Sequence, residues 1–115
     1  MADDRRLWRG SVAWAGLSPT RGREQTGRRP VLVVASEGYL DAVTSLVVVL
    51  PVTMVGRGWP NHVALRGAHG LDRPSWAMTE QVRTIARDRL VGVAGLVDDA
   101  TLADIDVYLR DFLGL

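Results

Sequence analysis

From Pro19 to Pro30 the chain reads Pro-Thr-Arg-Gly-Arg-Glu-Gln-Thr-Gly-Arg-Arg-Pro, a loop broken by Gly22 and Gly27 that carries four guanidiniums, one carboxylate and one amide. A guanidinium is a planar fork of donors that matches two phosphate oxygens at once. Arg21, Arg23, Arg28 and Arg29 therefore suit a phosphate-rich ligand, with Glu24 and Gln25 between them as hydrogen-bonding groups. On charge content alone the same loop reads as a solvated basic surface. What distinguishes it is its root: at Pro30 it runs into Val-Leu-Val-Val-Ala-Ser36, a β-branched apolar run that holds the end of the loop rigid.

Other chemistry-bearing side chains are few. His62 and His69 are the only histidines, both in or beside loops. They offer a paired-imidazole mechanism, against which stands the simpler reading of a surface or strand-edge histidine. With no cysteine and no tight carboxylate cluster, two histidines make no metal-ligand pattern, so neither metal nor cofactor is expected. Trp59, in the loop Gly56–Asn61, either stacks an unpaired base or plugs its loop onto the fold. Arg57, Arg66, Arg83 and Arg87 are further candidate phosphate contacts whose geometry the sequence does not set.

The elements that must position these groups are short. Ser11–Trp14, Pro30–Ser36 and Ser45–Val52 read as strands, the last two as continuous apolar runs typical of strands buried on both faces. Glu37–Asp41 reads as a connection turning at Gly38, and His62–Leu65 as a strand of alternating character. Trp76–Thr79 and Gln81–Ile85 read as two strands parted near Glu80, Arg87–Leu90 as one helical turn, and Gly92–Val97 as a last strand. From Asp98 the period changes: Leu102, Ile105, Leu109 and Phe112 share one helical face, Asp98 or Asp99 can cap the start, and Gly114 follows the end. Asp98, Asp99, Asp104 and Asp106 are read as capping and solvated groups of that helix. The pattern predicts a single domain over 1–115, mainly β with a C-terminal helix: a small barrel-like α+β fold.

Composition is consistent with this. The chain has 115 residues, 47% of them hydrophobic, enough for one unstapled core. The run Leu46–Val52 is far short of the roughly 20 residues that span a bilayer, and Met1–Trp8 lacks the apolar segment of a secretory signal. No membrane association and a cytoplasmic location are expected. The net charge of +1 conceals seven arginines before residue 31 and five aspartates after residue 96, and every basic residue is arginine rather than lysine.

The segment Pro19–Pro30 closely resembles the signature of the MazF/PemK toxin family, in which Pro19, Gly22, Glu24, Gln25, Gly27, Arg29 and Pro30 match a P-x-x-G-x-E-Q-x-G-x-R-P stretch ahead of an apolar strand. Further blocks follow in order: Pro51 and Thr53 (P-x-T), Pro60 and Val63 (P-x-x-V), Gly70-Leu71, the stretch Ser75–Leu90 with Gln81, Arg83, Thr84 and Arg89 in place, then Gly95 and the terminal helix. The resemblance covers about residues 8–115, and several ordered blocks together are far more specific than any one. It implies a compact SH3-like barrel that acts as a homodimer. It also implies the toxin of a type II toxin–antitoxin system, a sequence-specific endoribonuclease that cuts single-stranded RNA without a metal to 2′,3′-cyclic phosphate and 5′-hydroxyl ends.

On that resemblance Arg29 matches the family's catalytic arginine and Thr53 its catalytic threonine, while Glu24 matches an acidic residue implicated in some members. Arg29 is effectively always protonated, which suits charge stabilisation and leaves the base open between Glu24 and water. Arg21, Arg23, Gln25, Arg28, Arg57, Trp59, Arg83 and Arg87 are then candidate RNA contacts. The expected partners are RNA (messenger, transfer or ribosomal), a second copy of the chain, and a MazE-like antitoxin with an acidic, partly disordered segment. Three departures from the family pattern bear on RNA preference: Ser11 after Gly10, Met54 after Thr53, and no asparagine near Tyr39-Leu40. The same fold also supports non-enzymatic toxins that bind a protein such as DNA gyrase, and a non-cleaving RNA-binding module is a weaker alternative.

Overall fold

The computed structural model describes residues 6–16 and 27–115. The elements run β1 (Ser11–Gly16), β2 (Arg28–Val33), α1 (Glu37–Ala42), β3 (Leu46–Thr53), β4 (His62–Ala64), β5 (Trp76–Met78), β6 (Arg83–Ala86), β7 (Leu90–Leu96) and α2 (Asp99–Leu113). Single 3-10 turns at Thr79–Gln81 and Arg87–Arg89 separate the last three strands. All pairings are antiparallel, in the order β4-β5-β3-β2-β1-β7, with β6 also on β3. The two ends of this order meet. Just beyond β4 and at the end of β7, the Leu96 N–H donates to the Ala68 carbonyl (2.9 Å) and the Asp98 N–H to the Arg66 carbonyl (3.0 Å). The sheet thus closes on itself as a small barrel, the mainly β fold with a C-terminal helix that the pattern predicts.

The apolar runs of β2 and β3 are continuous because both of their faces are covered. Val12, Leu32, Leu50 and Val52 pack toward α2 with Val63, Leu65 and Ile105. The alternate residues Ala13, Ala15, Val31, Val33, Val47 and Val49 form a second cluster with Leu7 and Leu40. Period-two alternation therefore sorts one unbroken hydrophobic string into two cores.

The helix α2 begins at Asp98, whose Oδ1 accepts from the Thr101 N–H (2.9 Å) and hydroxyl (2.7 Å). It ends at Gly114 in the left-handed conformation, φ +71°. Ile105 is fully buried, and Leu102 and Leu109 pack on the core. Phe112 departs from the expected face: it is 47% exposed and rests on Tyr108 with ring centroids 6.0 Å apart, because the last helical turns have no core cluster beneath them. Asp104 and Asp106, expected as solvated, instead pair with Arg66 (2.6 Å) and Arg9 (2.5 Å) and fix the helix to the barrel.

The connection after β2 is a helix rather than a turn at Gly38. Ser36, read from the sequence as a strand end, is the N-cap of α1, its hydroxyl oxygen accepting the Tyr39 N–H at 3.1 Å. Elsewhere the outcome follows the expectation, with β5 and β6 parted at Glu80 and one helical turn before β7.

Two positions test how the barrel closes. Thr101 is fully buried, and its hydroxyl accepts the Arg66 N–H (3.1 Å) while donating to Asp98. Thr101→Val keeps the shape and removes both bonds, so a loss of about 1–3 kcal/mol is expected from the urea midpoint at unchanged slope. A Cβ on Gly95 would run into the backbone of Ala68 and His69 where that loop crosses β7. Gly95→Ala should therefore lower the thermal midpoint further than Thr101→Val does, and a wild-type midpoint would show that the crossing is slack.

Candidate active site

Strand register brings the candidate residues together. The β1–β2 ladder sets Ala15 opposite Arg29, and the β2–β3 ladder sets Val31 opposite Pro51. Residues directly opposite in an antiparallel pair project to the same face, and every second residue repeats it. Carrying the Val31–Pro51 register two residues further places Arg29 against Thr53. On the other side of β3, Val49 is opposite Arg83, so β6 adds a second guanidinium to this face. Arg29 and Arg83 are exposed, and Thr53 is half-buried.

A groove of about 660 Å³ runs along this face, with Arg29, Arg83, Arg89 and Gln81 around a floor that includes Val31 and Pro51. Thr53 stands just past Pro51 rather than within the groove's lining. Among the described residues no acidic side chain lines the groove, so its field is that of clustered guanidiniums and favours an anion.

The Thr53 hydroxyl oxygen accepts the Val55 N–H (3.1 Å) and the Arg57 guanidinium (3.4 Å). A hydroxyl has two acceptor lone pairs and one proton, so these bonds occupy the oxygen and leave the proton to give. Arg57 is held beside it because the chain after Thr53 folds over Trp76, where a Cβ on Gly56 would sit 3.0 Å from the indole. Thr53 is thereby made a donor with a guanidinium at its side.

Not every expected residue joins the groove. Arg28 projects from the opposite face of β2, its guanidinium 5.7 Å from the Trp14 ring centroid. Arg87 donates to the Leu40 (3.0 Å) and Val43 (2.9 Å) carbonyls and so secures the end of α1, making it an anchor. Arg66 is engaged by Asp104. Trp59 is half-exposed and leans on the His62 ring, with centroids 4.6 Å apart, so it does plug its loop while keeping an open face. Arg21, Arg23, Glu24 and Gln25 lie outside the described residues. The connection that carries them leaves from Gly16, which lines the groove.

His62 is neither a surface imidazole nor half of a histidine pair. It is buried at the start of β4, with Nε2 3.0 Å from a Glu80 carboxylate oxygen. His69 accepts the Leu71 N–H (3.1 Å) and stays a loop-bracing residue. Partial burial works to raise the Glu80 carboxyl, but hydrogen bonds from His62, from backbone and from Gln81 outweigh it and hold the group below its ordinary range. Gln81 and Arg89 carry no role in the sequence reading, yet both reach the groove. The available signal was the two-residue spacing of Gln81 and Arg83. Of the family departures, Ser11 is buried and its hydroxyl accepts the Trp8 N–H (2.9 Å). Tyr39-Leu40 lies within α1. Only Met54, exposed beside Thr53, adjoins the site.

The model of the PemK-like, MazF-like toxins of type II toxin-antitoxin systems matches residues 8–113. Endoribonuclease EndoA of Bacillus subtilis is 35% identical over 109 residues, which cover 93% of this chain and 94% of the relative. Endoribonuclease MazF9 of Mycobacterium tuberculosis is 34% identical over 113 residues, covering 93% and 96%. A chain in the crystal structure of MazE-MazF from Deinococcus radiodurans superimposes with a TM-score of 0.81 at 29% identity, over 97% of this chain and 99% of that one. The matched model covers nearly the whole chain, two relatives align over almost their full length and the fold is shared, so the chain belongs to the PemK-like, MazF-like toxins of type II toxin-antitoxin systems.

Proposed function

We propose that this chain is the toxin of such a system and cuts single-stranded RNA by attack of a ribose 2′-OH on the adjacent phosphate, without a metal, leaving 2′,3′-cyclic phosphate and 5′-hydroxyl ends. The observation that carries the reading is the convergence of Arg29, Thr53 and Arg83 on one face of three adjacent strands, above a groove with no acidic lining among the described residues.

In this reading the scissile phosphate lies between Arg29 and Thr53. The pentacoordinate phosphate gains negative charge on its oxygens, and donors already fixed in place stabilise that charge without reorganising. Arg29 supplies a guanidinium at the foot of a rigid strand. Thr53 supplies the one proton its hydroxyl has left, with Arg57 beside it. Arg83 and Arg89 hold flanking phosphates along the groove. Glu24 or water takes the 2′-OH proton, and a water molecule protonates the leaving 5′-oxygen while Arg29 offsets the charge that builds on it. Arg21, Arg23 and Gln25 contact RNA from the connecting loop.

The chain works in the cytoplasm as a homodimer. Along β7, Val91, Val93 and Leu96 are exposed, an apolar strip suited to a second copy. A MazE-like antitoxin lays an acidic segment over the groove and blocks Arg29.

Two measurements test this. Purified protein incubated with mixed RNAs in EDTA should leave cyclic phosphate ends, and Arg29→Ala or Thr53→Ala should each lower kcat by about 100-fold or more at an unchanged thermal midpoint. Intact RNA across a diverse pool would instead favour a toxin that binds a protein target. Sedimentation at micromolar concentration should give a dimer that Val93→Glu converts to monomer, and a wild-type monomer would remove the dimer from the reading.

A further inference from the structure

The Glu80 carboxylate gathers three side-chain donors beside the groove. Its Oε1 accepts from Asn61 Nδ2 at 2.8 Å, and its Oε2 lies 3.0 Å from His62 Nε2 and 3.3 Å from Gln81 Nε2. An ionised carboxylate only accepts, so each neighbour must turn a donor toward it. Asn61 is braced from below as well, its carbonyl accepting the Thr79 hydroxyl at 2.7 Å. The His62 ring must therefore carry a proton on Nε2, while Nδ1 is buried with no partner among the described residues. Gln81 must present its NH2 inward, where Met78 Sδ at 3.6 Å is a second acceptor.

The consequence falls on the groove. Gln81 lines it, and with its NH2 committed to Glu80 the amide oxygen is the atom left for a ligand. Arg29, Arg83 and Arg89 offer the groove donors, which are what phosphate oxygens need. A carbonyl oxygen repels phosphate and recognises a group that donates. On an RNA strand whose phosphates are already clamped, the donors that vary with sequence are the amino and imino N–H groups of the bases.

We propose that Gln81 Oε1 reads an N–H donor on a base next to the scissile phosphate, and that Glu80, anchored by His62 and Asn61, is the positioning residue that sets the polarity of that amide. The inference rests on the reading of the groove as an RNA site and deepens it by assigning one element of sequence preference. Without the carboxylate the amide can turn over, and the groove then offers a donor where it had offered an acceptor.

The test is the cut-site profile of the full chain on a randomised single-stranded RNA pool, compared for wild type, Glu80→Gln and Gln81→Met. Wild type should prefer a donor-bearing base at one position near the cut. Both variants should lose that preference by several-fold, up to about tenfold, at the same position and keep their other preferences. Replacing the preferred base by an analogue lacking the N–H should slow the wild type by a similar factor and leave Gln81→Met unaffected, so the two changes are not additive. Gln81 is exposed, which keeps its variant informative even where Glu80→Gln lowers the thermal midpoint. Superimposable profiles for wild type and Gln81→Met, or a uniform slowing at every site, would overturn the inference alone. No cleavage by the wild type would overturn the nuclease reading and the inference with it.

Discussion

The site depends on the burial of β2 and β3 on both faces. A strand with one wet face can tolerate a polar residue on that side, whereas these two strands meet hydrophobic packing on either side from Val31 to Val33 and from Val47 to Leu50. Their two cores differ in the size of side chain they accept: Leu32 and Leu50 face α2, while Val31, Val33, Val47 and Val49 pack against Ala13 and Ala15. A one-residue slip of β2 would drive Leu32 into the small-residue core, turn Val31 and Val33 toward α2, and move Arg29 to the face where Arg28 meets Trp14. Register is therefore set by packing in mid-strand. Chemistry at the strand ends inherits it, which is how Arg29 and Thr53 come to share a face without any contact between them being required.

Charge is sorted spatially in a way the small net charge conceals. The aspartates of α2 engage Arg9 and Arg66 on the helix side of the barrel, while Arg29, Arg57 and Arg83 stay exposed near the groove. Such partly exposed ion pairs contribute little stability individually. Their effect here is orientation, reinforced where the Arg9 side chain also donates to the Val34 carbonyl (3.0 Å) and its backbone N–H donates to the Glu37 carboxylate (3.0 Å). Arginine is thus used in two physical roles. Where carboxylates or carbonyls surround it, as at Arg9, Arg66 and Arg87, it staples elements together. Where no carboxylate pairs with it among the described residues, as at Arg29 and Arg57, it stays exposed.

That division explains which parts of the site could be read from sequence. What strand periodicity sets, the place of Arg29 at the foot of its apolar run, was legible, as was the helix with its cap at Asp98 and stop at Gly114. Residues whose role is set by tertiary neighbours were not. Arg87 looks like any other arginine until α1 supplies the carbonyls it bonds, and α1 was itself obscured because Gly38 reads as a turn while the capping hydroxyl of Ser36 ends an apolar run. His62 reads as a loop-edge histidine because the Glu80 that partners it is eighteen positions away on another element. The bonds that close the barrel were equally invisible, since they join the backbone of Leu96 and Asp98 to that of Ala68 and Arg66 and carry no side-chain signature.

The hydrogen-bonding capacity of Thr53 and Gln81 follows the same logic as the packing. Each is a group able both to donate and to accept, and each is reduced to one role by fixed neighbours. Thr53 has its oxygen occupied by Val55 and Arg57 and is left with a proton. Gln81 has its NH2 occupied by Glu80 and is left with an oxygen. A freely rotating hydroxyl or amide would have to be ordered when a ligand arrives, at a cost in conformational entropy. In the proposed RNA complex, fixing the roles beforehand puts a donor at the scissile phosphate and an acceptor beside it. A groove built from guanidiniums alone would bind any polyanion, and an acceptor of fixed polarity is what lets it distinguish one nucleobase edge from another.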